Sequence, residues 1–100
     1  MKATLSMFGK TYQVALVEEK YYDSGSTAVQ AYDEEGSFCT LSVNLPESSV
    51  LPKGVFYAKD WSENRGFVEQ LLEQGVIEPV NAPVAASGFI GEIRAYRLKK

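Results

Sequence analysis

The sequence has no histidine in 100 residues and a single cysteine, Cys39. Histidine is the side chain that titrates near neutral pH unaided and the commonest metal ligand, so Ser-His-Asp, Cys-His and zinc-histidine chemistries are excluded together. One thiol cannot close an intramolecular disulfide, a CxxC redox pair or a thiolate metal cluster, and the composition fits a reducing compartment. Long apolar runs are missing too: none approaches the roughly 20 residues of a membrane-spanning helix, and the opening MKATLSMFGK lacks the extended apolar stretch of a secretory signal. The reading is a cytoplasmic protein with no membrane partner. The eight glycines fit neither a P-loop nor a dinucleotide fingerprint, so no nucleotide site and no cofactor is expected.

Bases are scarce where acids are dense. Residues 11–80 hold twelve of the thirteen acids against Lys20, Lys53, Lys59 and Arg65, a formal charge of −8, whereas Arg94, Arg97, Lys99 and Lys100 make the last seven residues +4. Phosphate recognition usually needs a basic face across the whole domain, so direct nucleic-acid binding is disfavoured. An acidic body complements a basic protein surface instead; the plainer alternative is that the carboxylates only keep a small domain soluble. The basic end reads as a solvated terminus, since it lacks the sustained amphipathic helix of a lipid-binding segment.

What is present is enough for one core. With 45% hydrophobic residues, twelve aromatics and a net charge of −3, the chain is read as a single α+β domain over residues 1–100. Ala3, Leu5 and Met7, then Tyr12, Val14 and Leu16, alternate with polar residues and predict two strands, joined at Gly9-Lys10 by a type II′ turn with Gly in the first central position. Thr27 to Tyr32 and Phe38 to Val43 predict a second hairpin around Asp33-Glu34-Glu35-Gly36, the latter strand placing Cys39, Leu41 and Val43 on one face. Asn44 to Gly54, with Pro46 and Pro52, is a connecting loop, and Val55 to Ala58 is a fifth strand.

Glu63 to Gln74 is the one convincing helix, with Phe67, Val68, Leu71 and Leu72 as its apolar stripe. Asp60 or Ser62 would cap its start, with Glu63 completing a box-like pattern if Asp60 is the cap, and Gly75 would stop it while Val76 packs back on Leu71. An extended connection through Pro79 and Pro83 then leads to a last strand, Phe89 to Leu98, bent at Gly88 and Gly91. The order β-β-β-β-β-α-β predicts a mainly antiparallel sheet of five to six strands with one helix across it, the alternative being a small curled barrel closed by the last strand.

Few residues suggest chemistry. Asp33, Glu34 and Glu35 lack the spaced ligands and terminal Glu of a calcium loop and read as a hairpin tip, so no metal site is expected. No carboxylate pair is fixed across a cleft, so no catalytic residue is assigned and the protein is read as not an enzyme. Cys39, beside core candidates, reads as a small buried hydrophobe. Trp61, the only tryptophan, sits among polar residues at the strand-to-helix junction, as an interface anchor or as a staple over the core end. Adjacent Tyr21 and Tyr22 would point to opposite sides, one inward and one toward a partner.

Four segments, MKATLSMFGKTYQVALVE, TAVQAYDEEGSFCTLSVNLP, FYAKDWSENRGFVEQLLEQGVIEP and SGFIGEIRAYRL, together resemble a family of small phage- and plasmid-borne proteins known only as a domain of unknown function. The most specific pieces are Leu41-Ser42-Val43-Asn44-Leu45-Pro46, Asp60-Trp61-Ser62-Glu63-Asn64 and the Gly75 helix stop, none of them catalytic. The resemblance implies an accessory protein of a mobile element, placed among functions that blunt host defence. Joined to the acidic composition, it predicts a non-enzymatic inhibitor of the anti-CRISPR or antirestriction type. Its partner would be a nucleic-acid-binding host defence complex. Asp33, Glu34, Glu35, Glu69 and Glu73 would supply charge, and Trp61 or Tyr22 the anchor. The rival is a homodimeric or assembly module of the element's own replication machinery.

Overall fold

Alternation of apolar and polar residues builds the first sheet. In the computed structural model, which describes residues 1–87 and 91–99, β1 (Lys2–Met7), β2 (Lys10–Lys20), β3 (Thr27–Asp33) and β4 (Gly36–Thr40) form an antiparallel meander in chain order. Ala3, Leu5, Val14, Leu16, Val29 and Ala31 are buried on its inner face. The first hairpin turns one residue earlier than expected. Met7 pairs with Lys10, so Phe8 and Gly9 are the central residues, and their φ values of 52° and 75° make the turn type I′ rather than II′. Phe8 is 93% exposed. A bulky residue in the left-handed region, with nothing to pack on, is strained. Phe8→Asn is expected to raise stability by about 0.5–1 kcal/mol in urea denaturation, since Asn tolerates that conformation.

The predicted strand 38–43 does not run straight. Leu41 donates its N–H to Val29 O of the first sheet at 2.8 Å, and its carbonyl accepts from Lys59 N at 2.8 Å in the second. The chain therefore leaves β4 at Leu41 and enters β5 (Ser42–Val43), which pairs with β6 (Val55–Ala58). Ser42 Oγ, buried at the corner, accepts from Val29 N at 3.0 Å and lies 2.7 Å from Tyr21 Oη. The second sheet runs β5-β6-β10-β7, with β7 at Ile77–Pro79 and β10 at Ala95–Leu98. A third, two-stranded sheet pairs β8 (Ala85–Ser87) with β9 (Gly91–Ile93).

Fold class and mainly antiparallel pairing agree with the sequence reading, but ten strands in three sheets, not five or six in one, make up the described residues. Three causes account for this. The corner at Leu41 divides one predicted strand. The predicted final strand divides at Arg94, which is in neither β9 nor β10; Gly88, Phe89 and Ile90 of that prediction lie outside the described residues, as does Lys100. The proline-marked connection contains β7, where Pro79 is tolerated because β7 is an edge strand. The last strand pairs only with β6 and β7, so it does not close a barrel with the first sheet.

The second sheet is covered on both sides. Phe56, Ala58, Ile77 and Leu98 face the first sheet and the helix, whereas Val55, Tyr57 and Ala95 join Ala85 and Ile93 of the small hairpin in a second core, with Trp61 packed against it. All four residues of β6 are buried. A strand shielded on both faces reads as an unbroken apolar run, which Val55 to Ala58 is.

The predicted helix 63–74 is shorter than expected. A 3₁₀ turn covers Ser62–Asn64, and α1 runs over Phe67–Glu73. The break lies at Gly66, whose φ of 89° is left-handed. Asp60 Oδ1 accepts from Gly66 N at 3.0 Å rather than capping a turn that starts at Glu63, and Glu63 pairs with Lys59 at 2.6 Å. That ammonium, above all, holds the Glu63 carboxyl down at about 2. The other end forms as expected: Gly75 N donates to Leu72 O and Val76 N to Leu71 O, the paired bonds of a Schellman motif. Of the stripe, Phe67, Val68 and Leu71 are buried and Leu72 is 38% exposed. No helix among the described residues is long and apolar enough to cross a membrane.

Candidate functional site

The meander brings most of the acidic candidates to one end. Its β1–β2 and β3–β4 turns lie at the same end of the sheet, and the β2–β3 loop lies at the other. Because Ala15 pairs with Tyr32, the first hairpin extends about four residues, or about 14 Å, past the level of Asp33. Asp33 Oδ1 accepts from Glu35 N at 2.8 Å and sets the second tip, with Glu34 and Glu35 as its turn residues.

α1 reaches this end from the side. Gln70 is bonded to Ser6 and Gln74 to Thr4, so Glu69 and Glu73 lie beside β1, and Glu73 lines a shallow groove with Thr4 and Ser6. Rings fill the space between the tips. Tyr12 lies 4.8 Å from Phe38, and Phe38 lies 6.2 Å from Phe67. Tyr12 and Phe38 are half-buried, and Phe8 projects beyond them. None of Asp33, Glu34, Glu35, Glu69 and Glu73 is in an ion pair among the described residues. The end thus combines a projecting ring, with Lys10 next to its turn, and carboxylates at Asp33, Glu34 and Glu35 set back along the strands.

Tyr22 and Trp61 are elsewhere. Tyr22 is fully exposed in the loop at the opposite end of the sheet, and Tyr21 turns inward to Ser42. Trp61 is half-buried against the second core and lines a cleft of about 500 Å³. Ser62 and Arg65 share its wall, and Glu92, Arg94 and Tyr96 arrive from β9, β10 and the residue between them. Ser62 has a left-handed φ of 58°. Burial chiefly, then the Asp60 carboxylate, push the Tyr96 phenol upward.

No family model, curated protein or solved structure matches the chain.

Phe8 was not among the residues that the sequence singled out. The signal was Phe8-Gly9 itself, since a hairpin with Gly in the second central position needs positive φ at the first as well. Among the described residues no group of three His, Cys, Asp or Glu side chains could hold a metal ion. Cys39 is half-buried against the first core rather than fully buried, and desolvation, reinforced by Glu63, pushes its thiol up to about 11. A thiol ordinarily near 9 then carries about 100-fold less thiolate at neutral pH. Cys39 should accordingly alkylate with iodoacetamide about 100-fold more slowly in the folded protein than in urea at pH 7.5.

Proposed function

We propose that the protein is a non-enzymatic binding protein whose acidic, aromatic end docks on a basic, nucleic-acid-binding surface of another protein. On the family resemblance, the partner is a host defence complex of the CRISPR or restriction type, and the protein is a mobile-element accessory that inhibits it. The observation that carries this reading is Phe8, 93% exposed at positive φ on a hairpin tip that projects from the same end of the sheet at which Asp33, Glu34 and Glu35 lie outside any ion pair among the described residues. Backbone strain clusters at functional positions, and an exposed aromatic ring is a side chain that an interface buries to advantage. The carboxylates would steer the encounter and occupy sites meant for phosphates, and Phe8 would supply the apolar anchor.

The test is comparative. Wild-type protein and a Glu34→Lys/Glu35→Lys/Glu69→Lys/Glu73→Lys variant are immobilised and offered lysate from a host with active CRISPR and restriction systems. One defence effector should be retained by the wild type, released by its own nucleic acid, and bound at least about 100-fold more weakly by the variant. Equal retention by the two, or recovery of only the chain itself or replication proteins, overturns the reading and favours the assembly module. Phe8→Asn should lose effector binding while gaining stability.

A further inference from the structure

We propose that the Trp61 cleft is a second, independent site that binds a small aromatic monocarboxylate. It is an open, mainly polar cleft of about 500 Å³, large enough for one small molecule. Four formal charges reach it, and three have partners or a set place. Glu92 Oε2 and Arg94 Nη2 pair at 2.7 Å, and Asp60 Oδ1 accepts the Gly66 N–H. The Arg65 guanidinium, by contrast, makes no hydrogen bond or ion pair among the described residues. What the cleft lacks is thus one acceptor for a planar fork of donors, and a carboxylate matches that fork with two parallel bonds.

The one unmatched fork sets the headgroup. Arg94 is already held by Glu92, and Asp60 and Glu92 oppose any anion in the cleft, so one guanidinium is left to be matched by one carboxylate. The walls set its body. Trp61, packed on the second core, and Tyr96, packed on the first, offer two aromatic side chains that flat apolar groups favour. The loop is built before any ligand arrives: Arg65 N donates to Ser62 O at 3.2 Å, Asn64 N to Trp61 O at 3.1 Å, and Ser62 is held at positive φ. Such preorganisation lowers the ordering cost of binding.

The experiment uses phenylacetate, 2-phenylacetamide and inorganic phosphate as probes, with Trp61, the only tryptophan, as fluorescent reporter. Phenylacetate should change its emission saturably with a dissociation constant of about 1–10 mM. Phenylacetamide, which lacks the charge, and the Arg65→Gln variant should each bind at least about tenfold more weakly, with Arg65→Lys in between because it keeps the charge without the fork. Arg65 is exposed and its side chain has no partner among the described residues, so an unchanged melting temperature is expected for both variants. No response to phenylacetate at about 50 mM, equal affinity for the amide, or preference for phosphate would each overturn the assignment. The outcome is separable from effector capture, because none of the four charge-reversal positions lines the cleft.

Discussion

Replacing Asn64 by Asp should cost about 3–5 kcal/mol at pH 7, the largest single-site loss expected in this protein. Asn64 is fully buried, and its Nδ2 donates to Thr40 O at 2.7 Å, tying the turn before α1 to the last residue of β4. Its Oδ1 accepts no hydrogen bond among the described residues. Asp keeps the shape but exchanges the donor for a second acceptor facing the Thr40 carbonyl and places a charge where one oxygen already lacks a donor. The folded-state pKa of such an Asp lies above its unfolded value, near 3.9. Its penalty is therefore fully present above the folded pKa and shrinks as pH falls toward the unfolded one. Urea denaturation at pH 7 and pH 4 should show the deficit narrowing on acidification, as the protonated carboxyl regains a donor for Thr40. Asn64→Ala, which leaves Thr40 O unpaired but adds no charge, should lose about 2–3 kcal/mol with no such pH dependence. A loss within about 0.5 kcal/mol for both variants would show that the Thr40 bond contributes little.

Gln70→Ala with Gln74→Ala should lose about 1–3 kcal/mol and, as the more distinctive result, make the protein self-associate. Alternate residues of β1 pair with β2, which leaves the N–H and C=O of Thr4 and Ser6 on the outer edge. Gln74 Oε1 accepts from Thr4 N at 2.8 Å and its Nε2 donates to Thr4 O at 2.6 Å; Gln70 makes the same pair with Ser6 at 2.7 and 3.1 Å. The match is geometric. One helical turn advances about 6 Å over four residues, and a strand advances about 6.8 Å over two, so glutamines at i and i+4 meet peptide units at i and i+2. The two amides act as a surrogate strand. Without them the edge is a template for another chain, and sedimentation at increasing concentration should reveal oligomers absent from the wild type. A variant that stays monomeric at all concentrations would mean that α1 shields the edge by bulk alone.

Several elements of the candidate site could be read from residue type. The acidity of the body, the hairpin tip at Asp33-Glu34-Glu35 and the exposed face carrying Glu69 and Glu73 follow from local composition and period. Their assembly at one end could not be read, because it depends on the meander order of β1 to β4 and on two glutamines, Gln70 and Gln74, whose side chains bond β1 across 64 and 70 residues. Trp61 and Tyr22 were alternative anchors for the acidic surface, and the fold sends one to a cleft and the other to the far end of the sheet.

The local elements were legible in residue order: the alternating strands of the first sheet, the apolar run of β6, the Gly75 helix stop, and the absence of histidine chemistry. These depend on side-chain period, on glycine's access to positive φ and on which ionisable groups exist at all, and each of those is a property of a few neighbouring residues. Long-range packing settles the rest: the corner at Leu41, the cover on both faces of the second sheet, and the start of the helix after Gly66. At Leu41 no glycine or proline marks the bend; the residue is shared between a carbonyl at Val29 and an amide at Lys59. Backbone groups that must be satisfied find partners wherever packing brings them, and those partners are distant in the chain.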